Sequence, residues 1–156
     1  MVALGLFVLP LVGLLQQVRW SSLLDDLGDP AATRALRLSL ETSLAATALA
    51  ILLGLPLAWL LARGDLPGRS VLRGLVLLPM VLPPVVGGVA LLSAFSLRSP
   101  IGGWLHDVAG IQFTFQRSGV ILAETFVALP FLVVTVEAGL RSIDPRYEQV
   151  AAGLGA

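Results

Sequence analysis

Two carboxylates, Glu124 and Glu137, stand inside an apolar stretch and are the first residues whose placement could carry chemistry. An acid within a hydrocarbon-length run is a candidate for ion or proton handling, because its charge is costly there unless paired or used. Both lie near the ends of the run: counting from Gly119, Glu124 is about 7 Å in at ~1.5 Å per residue. Snorkelling or a local hydrogen bond accounts for both more cheaply than ion coupling. Other chemistry is thinly provided. Cys is absent, which removes disulfides, thiolate ligands and a cysteine nucleophile. The single His, His106, cannot build a His-rich metal site, and with Asp107 it is expected in a water-facing loop. No catalytic, cofactor-binding or metal-ligating residue is therefore expected, and a soluble metalloenzyme or cysteine hydrolase is excluded.

The elements that must position these residues are membrane spans. Of the 156 residues 56% are hydrophobic and only 13% charged, with a mean hydropathy of +0.91. Soluble domains carry about 25% charged residues, so this chain has too little polar surface to coat a water-exposed globule. Ten basic residues balance ten acidic ones, which argues against a nucleic-acid partner. Every basic residue is Arg, a bias of composition rather than of chemistry.

A spanning helix needs about 20 apolar residues. Residues 42–62, 74–97 and 119–140 meet that length, and residues 1–18 fall slightly short. The first segment makes a poor secretory signal: no basic residue precedes it and no Ala-x-Ala site follows. It reads as a first spanning helix lacking its upstream end, with a re-entrant or interfacial segment as the alternative. An all-α integral membrane protein with about four spans is expected. The Arg count does not orient it, since Arg19, Arg34, Arg37, Arg98 and Arg117 fall on one side and Arg63, Arg69, Arg73, Arg141 and Arg146 on the other. The density of Arg63, Arg69 and Arg73 favours a cytoplasmic N-terminus.

In the second span Ala46, Ala50, Gly54, Ala58 and Ala62 recur every fourth residue, with Ser39, Ser43 and Thr47 expected on the same side. Small-xxx-small ridges let helices approach closely in lipid, although an Ala-rich composition also generates them. Pro56 is expected to loosen this helix near its end. The third span runs Leu78-Pro79-Met80-Val81-Leu82-Pro83-Pro84-Val85-Val86-Gly87-Gly88. Pro79, Pro83 and Gly87 fall at i, i+4 and i+8 on one helical stripe. Each proline frees a carbonyl that protein or water must satisfy, so a broken helix beside a pathway is expected, with a plain kink as the alternative. Pro79, Pro83, Pro84, Gly87 and Gly88 are the pathway candidates.

Asp29-Pro30 and Asp144-Pro145 each set an N-cap acceptor before a first-turn proline. The first is expected to open a short helix along the membrane face. The second opens a helix over 144–156 whose Tyr147, Val150, Ala151 and Leu154 form an apolar stripe, suited to the membrane surface or to a partner's groove.

At this segment the chain resembles the permease subunits of binding-protein-dependent ABC importers, whose cytoplasmic signature is Glu-Ala-Ala, three residues, Gly, and later Ile-x-Leu-Pro. Here Gln149-Val150-Ala151 stand at the Glu-Ala-Ala positions, preceded by Glu148, and Leu154-Gly155-Ala156 supply the glycine end. Leu77-Leu78-Pro79 through Leu92 resembles the Leu-Pro…Pro-Pro-Val-Val-Gly-Gly pattern of molybdate permeases. Leu53-Gly54-Leu55-Pro56-Leu57-Ala58 resembles the second helix of these subunits, and Leu129-Pro130-Phe131 with Asp144-Pro145 is also similar to sulfate permeases. The resemblance implies the type I importer permease fold, a truncated single transmembrane domain over 1–156 without the last two spans, and an N-terminus inside the cell or plasma membrane. It implies that 144–156 begins the coupling helix, with Glu148, Gln149, Val150, Ala151, Leu154 and Gly155 meeting an ABC ATPase subunit. The phosphate-loop pattern Gly-x-x-x-x-Gly-Lys-Ser/Thr is absent, so ATP hydrolysis would reside on that partner and this chain is not expected to be an enzyme.

The further partners implied are a periplasmic or lipid-anchored oxyanion-binding protein, a second permease copy, and membrane lipid. The cargo implied is a tetraoxyanion, molybdate ahead of sulfate or thiosulfate, and no cofactor. A small structural membrane protein without transport activity is the reading from another class, and a proton-driven secondary transporter a third.

Overall fold

The computed structural model describes residues 2–18, 28–64, 67–143 and 153. These residues form six helices and no strand: α1 (Val2–Gln17), α2 (Pro30–Arg63), α3 (Arg69–Val81), α4 (Pro84–Phe95), α5 (Pro100–Ala109) and α6 (Arg117–Ser142). The chain divides into two compact units, 1–39 and 40–156. Within the first, α1 is an apolar helix of 16 residues, about 24 Å long. The Asp29 carboxylate accepts a hydrogen bond from the Ala31 N–H at 2.7 Å, the cap anticipated before Pro30.

That cap does not open a short separate helix. It opens α2, which runs 34 residues without interruption. No helix-breaking pair separates 30–41 from the apolar run, so propagation continues through both. Pro56 is accommodated inside the same helix.

The second unit is built on α2, α3 and α6. Thr42, Ala46, Ala50, Gly54 and Ala58 are buried at four-residue intervals along α2, so the small-residue ridge is the packed face. The facing positions on α6 run in the same direction. The Thr42 hydroxyl donates to Glu124 Oε1 at 3.3 Å, the buried Thr125 hydroxyl reaches the Ala46 carbonyl at 3.5 Å, and Arg141 reaches the Leu61 carbonyl at 3.2 Å. A Cβ on Gly54 would come within 2.7 Å of Leu132 Cδ2, so glycine is what allows the backbone this close to α6. Ser43 and Thr47 lie on the opposite, exposed side and return their hydroxyls to the Leu40 and Ser43 carbonyls. Four-residue periodicity drifts across a face, and the buried hydroxyls turn out to be Thr42 and Thr125.

Because α2 and α6 are parallel, the intervening helices return the chain from one end of the pair to the other. Helix α3 begins this return, with Val76 buried against Ala58, Leu61 and Val133. At Leu82-Pro83 the chain leaves helical geometry (ψ 132° and 139°), and α4 departs at 116° to α3. Pro84 starts α4 at its first turn, where its missing N–H costs nothing. Helices α2 and α6 are each long and apolar enough to cross a membrane, and the bent α3–α4 pair passes the same test taken together.

His106 and Asp107 are exposed as expected, but on helix α5 rather than in a loop. The Ser99 hydroxyl caps that helix by accepting from the Gly102 N–H at 3.0 Å, Pro100 follows it, and Gly110 closes it at φ 65°. Ser-Pro and Gly are standard boundary residues, so this helix had a readable signal in the sequence.

Candidate functional site

Of the pathway candidates, Pro79 borders a cavity beside the break at Leu82-Pro83. The cavity, of 510 Å³, lies in the angle between α3, α4 and α6 and is lined by Leu75, Val76, Pro79, Leu91, Phe95, Phe126 and their neighbours. Its lining is apolar except for Thr125, whose hydroxyl is bonded to the Ile121 carbonyl at 2.7 Å. Pro79 borders this cavity, while Pro83 and Pro84 form the exposed corner. Gly87 is buried, its Cβ position 3.5 Å from Phe126 Cε1, whereas Gly88 is exposed with open space around it. Pro79, Pro83 and Gly87 therefore do not share one stripe. A stripe requires continuous helix, and the chain turns away between the first and second of them.

Glu137 is the most constrained charged group among the described residues. Its side chain is 2% exposed on α6, and its Oε1 accepts from Arg73 of α3 at 2.6 Å and from Arg141 at 2.8 Å. Arg69, at the start of α3, stands 3.9 Å from the same oxygen. Arg69 also donates to the Leu61 carbonyl at the end of α2, as does Arg141. Three guanidinia thus tie the ends of α2, α3 and α6 to a single carboxylate. Pro56 and the helix end leave α2 with carbonyls that have no intrahelical donor, and the arginines supply two of those donors.

Glu137 does not snorkel. The cations come to it instead, Arg141 from one turn further along α6 and Arg73 from α3, which costs less than extending a buried carboxylate past a packed interface. Glu124 accepts a hydrogen bond across the helix pair, from Thr42 of α2, in place of the local one expected, while its Oε2 is buried without a hydrogen-bond partner. At the opposite end of the α2–α6 pair, Arg117 meets Glu41 at 3.0 Å.

The arginine cluster was only partly legible. Arg141 is four residues beyond Glu137, a spacing readable on any helix. Arg73 lies 64 residues from Glu137, and nothing local signals their meeting. Glu148, Gln149, Val150, Ala151, Leu154 and Gly155, expected to couple to an ATPase, lie outside the described residues, as does most of the helix expected over 144–156. Among the described residues no group of three metal-ligating side chains converges.

Comparison with known proteins gives this geometry its family. The chain is 47% identical over 150 residues to the molybdenum transport system permease protein ModB of Mycobacterium tuberculosis, covering 95% of this chain and 56% of that protein. It is 39% identical over 123 residues to ModB of Escherichia coli, covering 79% of this chain and 54% of that one. It is also 34% identical over 154 residues to the sulfate transport system permease protein CysT of Escherichia coli, covering 97% of this chain and 55% of the relative. The chain belongs with the molybdate-type permeases of ABC importers. No family model matches it. It spans about half the length of the curated relatives it matches. The all-α membrane architecture expected from composition is the one this permease relationship requires.

Proposed function

We propose that this chain forms part of the membrane permease subunit of an ATP-driven importer of a tetraoxyanion, with molybdate as the cargo. The observation that supports it most is the 47% identity to a molybdenum permease across 95% of the chain, against 34% for a sulfate permease of similar coverage. The subunit is multi-pass in the cell or inner membrane with a cytoplasmic N-terminus. A cytoplasmic N-terminus puts Arg69, Arg73 and Arg141 on the cytoplasmic side, in keeping with the positive-inside tendency.

In this reading the permease is not an enzyme. A separate ABC ATPase subunit hydrolyses ATP, a periplasmic or lipid-anchored protein delivers the anion, and two permease copies enclose the route. Residues 144–156 seat in the ATPase, with Glu148, Gln149, Val150, Ala151, Leu154 and Gly155 in contact. Closure of the ATPase dimer draws the two coupling helices together and turns the route outward, and hydrolysis resets it. The parallel α2–α6 pair, pinned at one end by Glu137, is stiff enough to carry that displacement into the span. Pro79, Pro83, Pro84, Gly87 and Gly88 are the candidate route residues, because a bend of 116° brings non-helical backbone to membrane depth. No arginine stands deep in a described span, so passage relies on backbone and hydroxyl dipoles rather than a fixed charge.

The test is uptake by the full-length permease reconstituted with its ATPase and binding protein. Molybdate accumulation that needs ATP and survives excess sulfate supports the reading. Equal inhibition by sulfate assigns the subunit to sulfate import. Uptake that persists without ATP but collapses with the proton gradient refutes it.

A further inference from the structure

Beside the Glu137 cluster, and distinct from the cavity at the helix break, is a second cavity of 400 Å³ lined by Arg69, Ser70, Arg73, Gly74, Leu77 and Arg141. We propose that this cavity binds the phosphate of an anionic phospholipid, with the guanidinia and Ser70 holding the headgroup and Leu77 bordering the start of an acyl chain. The inference does not depend on which anion the permease carries.

Charge is the first argument. Three guanidinia face one carboxylate, Glu137, which lies buried behind them and already accepts from Arg73 and Arg141. Among the described residues lining the cavity, three guanidinia face this one carboxylate, an excess of two positive charges. Each guanidinium carries five N–H donors; the bonds within the cluster use three on Arg141 but only one on Arg73, so donors remain, most of them on Arg69 and Arg73. The arginine side chains are 32%, 45% and 43% exposed, so the remaining donors can reach a ligand without disturbing the cluster.

Pre-organisation is the second. Glu137 and the Leu61 carbonyl fix the arginines from behind, so little rotamer entropy is lost on binding. Ser70 adds a hydroxyl in the first turn of α3, where free backbone N–H groups and the helix dipole favour an anion.

Polarity along the cavity decides between ligands. Its charged end, at Arg69, Ser70 and Arg141, lies where α2 ends, α3 starts and α6 ends. From there it follows α3 through Gly74 to Leu77, two turns into an apolar helix. A soluble phosphate would use only the charged end. A phospholipid, with its phosphate at the interface and its chain along α3, matches both ends.

The experiment uses the full-length permease in phosphatidylcholine nanodiscs titrated with phosphatidylglycerol, with retained lipid counted by native mass spectrometry. We expect preferential retention of phosphatidylglycerol over phosphatidylcholine, with a Ser70→Asp variant about tenfold weaker because it sets a like charge in the cavity. An acid in a first helical turn is favourable to folding, and thermal unfolding of the variant checks that the Glu137 cluster still holds. Ser70→Asn, of similar size but uncharged, should retain the lipid. Equal retention of the two lipids, or equal loss in the Asp and Asn variants, would overturn the proposal. Displacement of phosphatidylglycerol by millimolar phosphate or molybdate would overturn it in favour of a free-oxyanion site.

Discussion

Replacing Glu137 with Gln tests the idea that one buried carboxylate holds three helix ends together. The substitution keeps the shape and the Oε1 acceptor but removes the charge. Glu137 is 2% exposed and takes hydrogen bonds from Arg73 at 2.6 Å and Arg141 at 2.8 Å. Hydrogen bonds to charged groups contribute about 1.5–3 kcal/mol and neutral ones about 0.5–1.5, so the two close contacts lose about 2 kcal/mol together. Arg69, at 3.9 Å, makes no hydrogen bond to Glu137 and adds little more, and all three guanidinia, 32–45% exposed, are partly screened by solvent. Mutual repulsion of the three guanidinia is discounted for the same reason. In a full-length protein about twice as long as this chain, about 2 kcal/mol corresponds to a fall in Tm of roughly 3–4 °C, measured by intrinsic fluorescence in detergent. A double-mutant cycle sharpens the test. Arg73→Gln should cost about 1 kcal/mol in the native background and close to nothing, or a slight gain, once Glu137 is Gln. Additive costs, or a Glu137→Gln shift below about 1 °C, would refute the pinning argument.

Four further outcomes follow from other parts of the molecule. Gly119→Ala should destabilise by more than about 2 kcal/mol, since its Cβ would meet the backbone carbonyl of Phe113, which cannot rotate away; thermal unfolding checks it. Gly54→Ala should cost less, about 1 kcal/mol, because the atom in its way is the end of the Leu132 side chain, while Gly54→Leu should separate α2 from α6 and abolish uptake. Spin labels at Val71 and Leu92 should report a distance of about 16 Å, as arms of roughly 16 and 14 Å with a bend of 116° between them require, and Pro83→Ala with Pro84→Ala should lengthen it toward about 30 Å. Gly155→Asp in the full-length permease should abolish molybdate uptake while leaving membrane insertion intact, and normal uptake would remove 144–156 from the coupling role.

Composition and periodicity made much of the architecture readable. A chain with 13% charged residues and repeated apolar runs must satisfy its backbone internally, and helices do that within one segment. The alanine and glycine spacing of α2 marked its packed face, because van der Waals approach is what holds helices together in lipid. The prolines at 79, 83 and 84 marked the break, since a ring without an N–H cannot continue the ladder. Helix α5 was missed although Ser99-Pro100 and Gly110 bracket it, because ten residues with two glycines and one His resembled a loop.

Local spacing was enough to place the long apolar helices, the packed small-residue ridge of α2 and the proline break, but not α5 or the merging of 30–41 into α2. Direction and partnership came from packing between helices. The parallel run of α2 beside α6 and the meeting of Arg69 and Arg73 with Glu137 depend on contacts between residues more than sixty positions apart, and the size of the 116° turn at the proline break is not readable from the prolines themselves. Neither the drift of a helical stripe nor the partner of a buried charge is encoded by its neighbours in sequence. Both are fixed when packed helices leave a buried carboxylate only those cations that can reach it.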